Sequence, residues 1–267
     1  MTPSTAPAND PHFATVQPML PGTVPPLVWR GAELGGQATP VVSSGWPALD
    51  RELPGGGWPH RVLCEVLSPQ PALIEWRLLG PALRAVAAGG GQIVVVAPPR
   101  QPYMPGLIHD GLDERRFVWI RAEGPAQRLW VTEQLIKANA CQALVAWLPQ
   151  ARHEQLRRLQ VCAQAAEGLV FLCRPEAAQH EASAAPLRVH ATFALDWELR
   201  VRILKRRGPA FDGTLRLPSV PGGLASVLTP RLRRPGRLLA GLSSSKEPAD
   251  VVGRPALPQH RRHAASR

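Results

Sequence analysis

The residues with the most chemistry to offer lie in one loop, Ser68-Pro69-Gln70-Pro71-Ala72-Leu73-Ile74-Glu75. An apolar run, Arg61 to Leu67, precedes it, and a helical pattern begins near Ala72. A phosphate-binding P-loop sits between just such a strand and helix. That motif reads G-x-x-x-x-G-K-[ST]: glycines let backbone N–H groups approach the phosphates, a lysine meets their charge, and a hydroxyl holds magnesium. Here two prolines remove two N–H donors. Ile74 stands at the lysine position, and Glu75 would repel a phosphate. Ser68, Leu73, Ile74 and Glu75 thus mark a degenerate loop, and no cofactor is expected in it.

Other reactive side chains give no catalytic constellation. Glu65, inside the apolar run, is either a base or a hydrogen-bonded structural carboxylate, and the second reading is the simpler. Asp110, Asp113 and Glu114 could gather round a metal, but the following Arg115-Arg116 favours a solvated turn. The four cysteines show no C-x-x-C and read as small buried hydrophobes of a reducing compartment. Cys162 and His153 lie nine residues apart on one predicted helix, so they share no face as a nucleophile pair would. No catalytic residue and no metal ligand is assigned.

Tryptophan is over-used: eight, against one Tyr and five Phe. Trp46, Trp58 and Trp76 flank the degenerate loop. Trp is enriched at binding hot spots, so these three are candidate partner-docking residues. Equally, they could fill the space a nucleotide would take.

The chain carries a formal charge of +11, and an acidic partner such as nucleic acid is the simplest implication. Much of the excess falls between Pro230 and Arg267, where nine Lys/Arg face only Glu247 and Asp250. The candidate DNA phosphate contacts are Lys205, Arg206 and Arg207, which follow two predicted strands, and Arg231, Arg233 and Arg234 in the tail. Each group could instead be solvated surface. No aromatics interleave with the arginines to make a base-stacking platform, and no helix-turn-helix, zinc finger or basic zipper appears. Without an apolar stretch of about 18 residues, no membrane span is expected. The N-terminus lacks the basic and apolar regions of a secretory signal, so the expected location is cytoplasmic.

The elements that would position these residues alternate. A short helix (Gly45 to Leu53) and a glycine turn (Gly55 to Gly57) lead into the first strand. Further strands are expected at Gln92–Ala97, Phe117–Ile120, Ala143–Leu148 and Leu169–Cys173. Helices are expected at Ala72–Ala88, Pro125–Ala138 and Ala151–Glu167, with a loop or short helix at Tyr103–Asp110. Strands separated by helices imply βαβ units and a mostly parallel sheet. Leu187–Leu195, Glu198–Leu204 and Gly213–Leu217 follow without helices, which predicts an antiparallel extension. The predicted organisation is a Pro-rich disordered arm (1–26), an α/β domain (27–217) with a central sheet flanked by helices, and a disordered basic tail (218–267).

Several segments carry a family resemblance: VWRG at Val28–Gly31, the run from Ser44 to Pro59 (SGWPALDRELPGGGWP), PQPALIEWRLLGPAL at Pro69–Leu83, and QIVVVAPP at Gln92–Pro99. They resemble the RecA-like fold and, more closely, the ImuA family of RecA-like/SulA-like proteins associated with translesion DNA synthesis. The resemblance covers about Val28 to Leu217 and is most specific in the glycine turn and the EWRLL helix. It implies a RecA-like core in which the fourth strand should end on a magnesium-ordering Asp; Trp147 stands there, a degenerate Walker B. What the family implies is a non-catalytic accessory factor of SOS-induced mutagenesis. Its implied partners are an ImuB-like Y-family polymerase homologue, with RecA and an error-prone C-family DNA polymerase as further candidates, and non-specific DNA. A SulA-type division inhibitor is the alternative, and a working RecA-like ATPase the least favoured.

Overall fold

The computed structural model describes residues 40–220 and 222–236. The predicted N-terminal arm, the VWRG segment and the end of the basic tail lie outside them.

Two short strands, β1 (Val41–Val42) and β2 (Trp58–Pro59), pair antiparallel and close the entry segment into a loop. Between them lie helix α1 (Pro47–Asp50) and the glycine turn, where Gly55 and Gly56 both take positive φ. The chain then builds an eight-stranded sheet in the order β10-β9-β8-β3-β7-β6-β4-β5. Its strands are β3 (Leu63–Ser68), β4 (Ile93–Val96), β5 (Phe117–Ile120), β6 (Ala143–Trp147), β7 (Leu169–Pro175), β8 (Leu187–Ala194), β9 (Glu198–Lys205) and β10 (Thr214–Pro218).

From β8 to β5 every pairing is parallel. β9 and β10 add antiparallel strands at the β8 side. The continuous apolar runs of β4 and β6 follow from burial on both faces, and β3 and β7 are buried along nearly their whole length as well. On one face Cys64, Val66 and Phe171 of the sheet form a core with Trp58, Leu49 of α1 and Leu78 of α2 (Ile74–Ala88). On the other, Leu63 and Leu144 of the sheet pack in a core with Leu129 of α4 (Pro125–Lys137) and Leu156 and Leu159 of α5 (His153–Ala165). A short helix α3 (Met104–His109) joins β4 to β5.

α2 contains Pro81, which cannot donate to the carbonyl four residues back. The entry segment uses this place. Gly45, at φ +78°, lies so close that a Cβ there would sit 2.3 Å from Pro81 Cβ, and Trp46 Nε1 donates a 3.0 Å hydrogen bond to the Leu78 carbonyl. Glycine at 45 therefore meets two demands, a left-handed backbone and a tight contact.

The stretch after Pro218 is described at residues 219–220 and 222–236. It forms helix α6 (Gly222–Ala225) and is tied to the β8–β9 turn. Ser219 N–H donates to the Trp197 carbonyl at 2.7 Å, Trp197 Nε1 donates to the Leu232 carbonyl at 3.1 Å, and Gly236 N–H donates to Asp196 Oδ1 at 2.6 Å. These contacts span up to 40 residues, so no local pattern announces them.

Candidate functional site

The β3–α2 loop sits at the carboxyl edge of the parallel strands, the edge on which open α/β sheets bind ligands. Leaving β3, the chain crosses one face through α2 to reach β4; the later helices α4 and α5 return across the other face. Ala72 takes φ +64° at the end of the loop, and Leu73 precedes the helix without capping it through its side chain.

Glu75, in the first turn of α2, is buried, and Ser68 Oγ donates a 2.8 Å hydrogen bond to its Oε1. Burial raises the Glu75 pKa; the backbone N–H groups of Glu75, Leu73 and Ala72 and the Ser68 hydroxyl act in the opposite direction. These amides are the helix N-terminal donors that would otherwise face a phosphate. Ile74, at the lysine position, is fully buried in the core.

Trp147, which the resemblance puts at a magnesium-ordering position, lies in an aromatic cluster. Trp147 ends β6 and is 3 % exposed, and its ring lies 5.7 Å from that of Trp76, which in turn lies 6.1 Å from Phe117. Trp147 Nε1 and Glu75 Oε2 are buried without a hydrogen-bond partner among the described residues. Among those residues no three His, Cys, Asp or Glu side chains gather to hold an ion. Asp113 instead accepts from the Arg115 N–H at 3.0 Å and caps a short 3₁₀ turn.

Of the three tryptophans proposed for docking, Trp58 is corrected: it is completely buried, edge-on to Phe171 at 5.2 Å, and offers nothing to a partner. Trp46 is half-buried with its N–H committed to Leu78. Only Trp76 reaches an open groove, a cleft of about 570 Å³ also lined by Leu73, Arg77, Arg100, Tyr103 and Leu107. Arg77 spends its guanidinium on the Ser219 carbonyl and faces the charge of Asp110. A second, largely apolar cleft of about 380 Å³ adjoins it, lined by Leu73, Phe193, Leu195 and Trp197. Leu73 borders both clefts and is 52 % exposed, beside Tyr103 at 74 % and Leu195 at 60 %. This apolar edge escaped the sequence reading because its residues are 122 positions apart and each is unremarkable alone.

Glu65 is held as the simpler reading expected. Arg174 Nη1 donates to its Oε1 at 3.0 Å and Arg188 Nε to its Oε2 at 2.5 Å, all three side chains being almost fully buried. Arg174 also reaches the Ala151 carbonyl and Glu181, and Arg188 reaches the Ala178 carbonyl. This is a brace across β3, β7 and β8.

Three of the six basic candidates for DNA contact donate hydrogen bonds within the chain. Arg206 binds the carbonyl and carboxylate of Glu52 and lies over Phe211, while Arg233 donates to the Leu228 and Ala225 carbonyls. Lys205 Nζ donates to the Ser183 carbonyl at 2.9 Å. Arg207, Arg231 and Arg234 remain exposed.

Fold and site together define an α/β protein with a mostly parallel sheet, consistent with a RecA-like core, whose carboxyl-edge loop holds its own carboxylate. No protein-family model matches the chain. Over 131 residues it is 29 % identical to Protein ImuA of Caulobacter vibrioides, in two strains, a match covering 47 % of this chain and 54 % of that protein. The chain thus spans about half the length of the curated relatives it matches. Among the described residues no helix is long and apolar enough to cross a membrane.

Proposed function

We propose that this chain is a non-catalytic accessory protein of SOS-induced translesion DNA synthesis. In this reading it is a scaffold that binds an ImuB-like Y-family polymerase homologue and brings it to an error-prone polymerase, with RecA as a further contact. The similarity to Protein ImuA supports the setting. The observation that carries the non-catalytic part is Glu75, buried at the N-terminus of α2 with Ser68 donating to it. Phosphoryl transfer rests on positioned cations around the phosphates; here a carboxylate and two indoles take those places. The docking part rests on the exposed apolar edge at Leu73, Tyr103 and Leu195, since such a patch on a soluble surface marks an interaction site.

Co-purification of the full chain with an ImuB-like partner tests this. The wild-type chain is expected to retain the partner, and Leu73→Asp to lose it while melting at an unchanged temperature. Retention by both Leu73→Asp and Leu195→Asp would place the interface elsewhere.

A further inference from the structure

The antiparallel end of the sheet carries a second surface, away from the loop. Along β8, β9 and β10 the apolar residues Val189, Ala191, Leu199, Val201 and Leu217 point to the core. The alternate positions point to the other face, and their registers align them in two rows. Thr192 pairs with Arg200, which pairs with Arg216; His190 pairs with Arg202, which pairs with Thr214. α4 and α5 pack over β3, β4 and β6, while at β8 His190 is buried with its Nε2 2.9 Å from Glu176, in the short 3₁₀ turn Glu176–His180. Arg200, Arg202, Thr214 and Arg216 are exposed.

The arrangement is unfavourable for the isolated sheet. Arg200 and Arg216 stand directly opposite, at about 5 Å between Cβ atoms, where like charges destabilise a pair. Arg216 has a weak outlet, 3.6 Å from Glu198. Arg200 and Arg202 have no carboxylate partner among the described residues. Guarding a sheet edge against aggregation does not explain them, because β9 is paired on both sides and is not an edge. From Leu187 to Ser219 there are seven Lys/Arg against three Asp/Glu, so the excess is local.

We propose that this strip, Arg200, Arg202 and Arg216 with Thr192 and Thr214, binds the phosphate backbone of nucleic acid. Same-face residues on a strand repeat about every 6.8 Å, twice the axial rise per phosphate of one DNA strand. Arginines flanked by threonine hydroxyls are donors of the kind that contact phosphate oxygens. The strip holds no aromatic or aliphatic anchor such as a protein partner's hot spot needs, and it has no concavity for a small anion. The lack of stacking residues also predicts binding without sequence preference. The inference goes beyond the protein contacts of the proposed function, and it stands whether or not a polymerase-like partner binds at Leu73.

The test is fluorescence anisotropy with a labelled single strand and its duplex, using the full chain at about 50 mM and about 200 mM salt. Arg200→Thr/Arg202→Thr, which keeps strand propensity, is expected to lower affinity by about tenfold or more and reduce the salt slope by about two. Its melting temperature should hold or rise. Arg231→Thr/Arg234→Thr, in the segment after β10, is the control and is expected to change little. No DNA binding by the wild-type chain would overturn the proposal without touching the partner reading. So would a loss confined to the control variant. Tighter, strip-dependent binding to phosphatidylserine vesicles or to polyglutamate than to DNA would also overturn it, assigning the strip to a membrane or an acidic protein.

Discussion

Ser68 Oγ donates a 2.8 Å hydrogen bond to Glu75 Oε1, so that the last residue of β3 and the first turn of α2 are joined through a buried carboxyl group. Glu75 is held above its ordinary pKa because burial outweighs the donors around it. The folded chain therefore binds this proton more tightly than the unfolded chain. Its contribution to stability is full below the unfolded value near 4.3 and is lost as pH rises through the folded value. Glu75→Gln, which keeps an acceptor for Ser68, removes that loss. Thermal melts should show the variant matching the wild type near pH 4 and exceeding it at pH 7; a variant less stable at pH 7 would mean the ionised carboxylate is favoured.

The Glu65 brace makes the opposite prediction. Removing one partner of a buried ion pair strands the others, at about 3–5 kcal/mol. Glu65→Ala leaves Arg174 and Arg188 facing each other across β3, and Arg174 Nε already lacks a partner among the described residues. Urea unfolding should place the midpoint far below that of the wild type, if the variant folds at all. Glu65→Gln should recover part of the loss.

Trp58 should behave as core. Trp58→Ala deletes the largest fully buried side chain and its edge contact with Phe171, a change expected to cost about 3–5 kcal/mol. Because Trp58 is internal, partner retention per folded molecule should be unchanged, which separates it from Leu73→Asp.

The thiols should divide one against three. Burial pushes the Cys141 thiol up to about 11 and raises Cys64 and Cys173 further, with the Glu75 carboxyl adding to the rise at Cys173. Cys162 on α5 is half-exposed. The thiolate is the reactive form, so mass spectrometry after brief alkylation of the native chain at pH 8 should find label on Cys162 and not on the other three.

The parallel core was legible because strands buried on both faces announce themselves: Ile93–Val96 and Ala143–Trp147 are unbroken apolar runs. In the β3–α2 loop the two prolines can be read in order, but the burial of Glu75 against Ser68 cannot, because the same residue could have faced solvent. Nor can the fate of Trp58, whose pairing partner is the two-residue strand β1, too short to show a period. The arginine strip could be seen as alternation in Leu199–Ile203, but its second row needs the β9–β10 register that puts Arg216 against Arg200. Sequence charge pointed to Arg206 instead, which is bound to Glu52 154 residues away in the chain.

A non-catalytic scaffold requires the head of α2 to be closed to nucleotide. Calorimetric titration of the full chain with MgATP, followed by phosphate release with and without single-stranded DNA, measures this. No saturable heat and no turnover above a protein-free control are expected. Stoichiometric MgATP binding that Trp147→Ala leaves intact, or DNA-stimulated phosphate release, would contradict the scaffold reading.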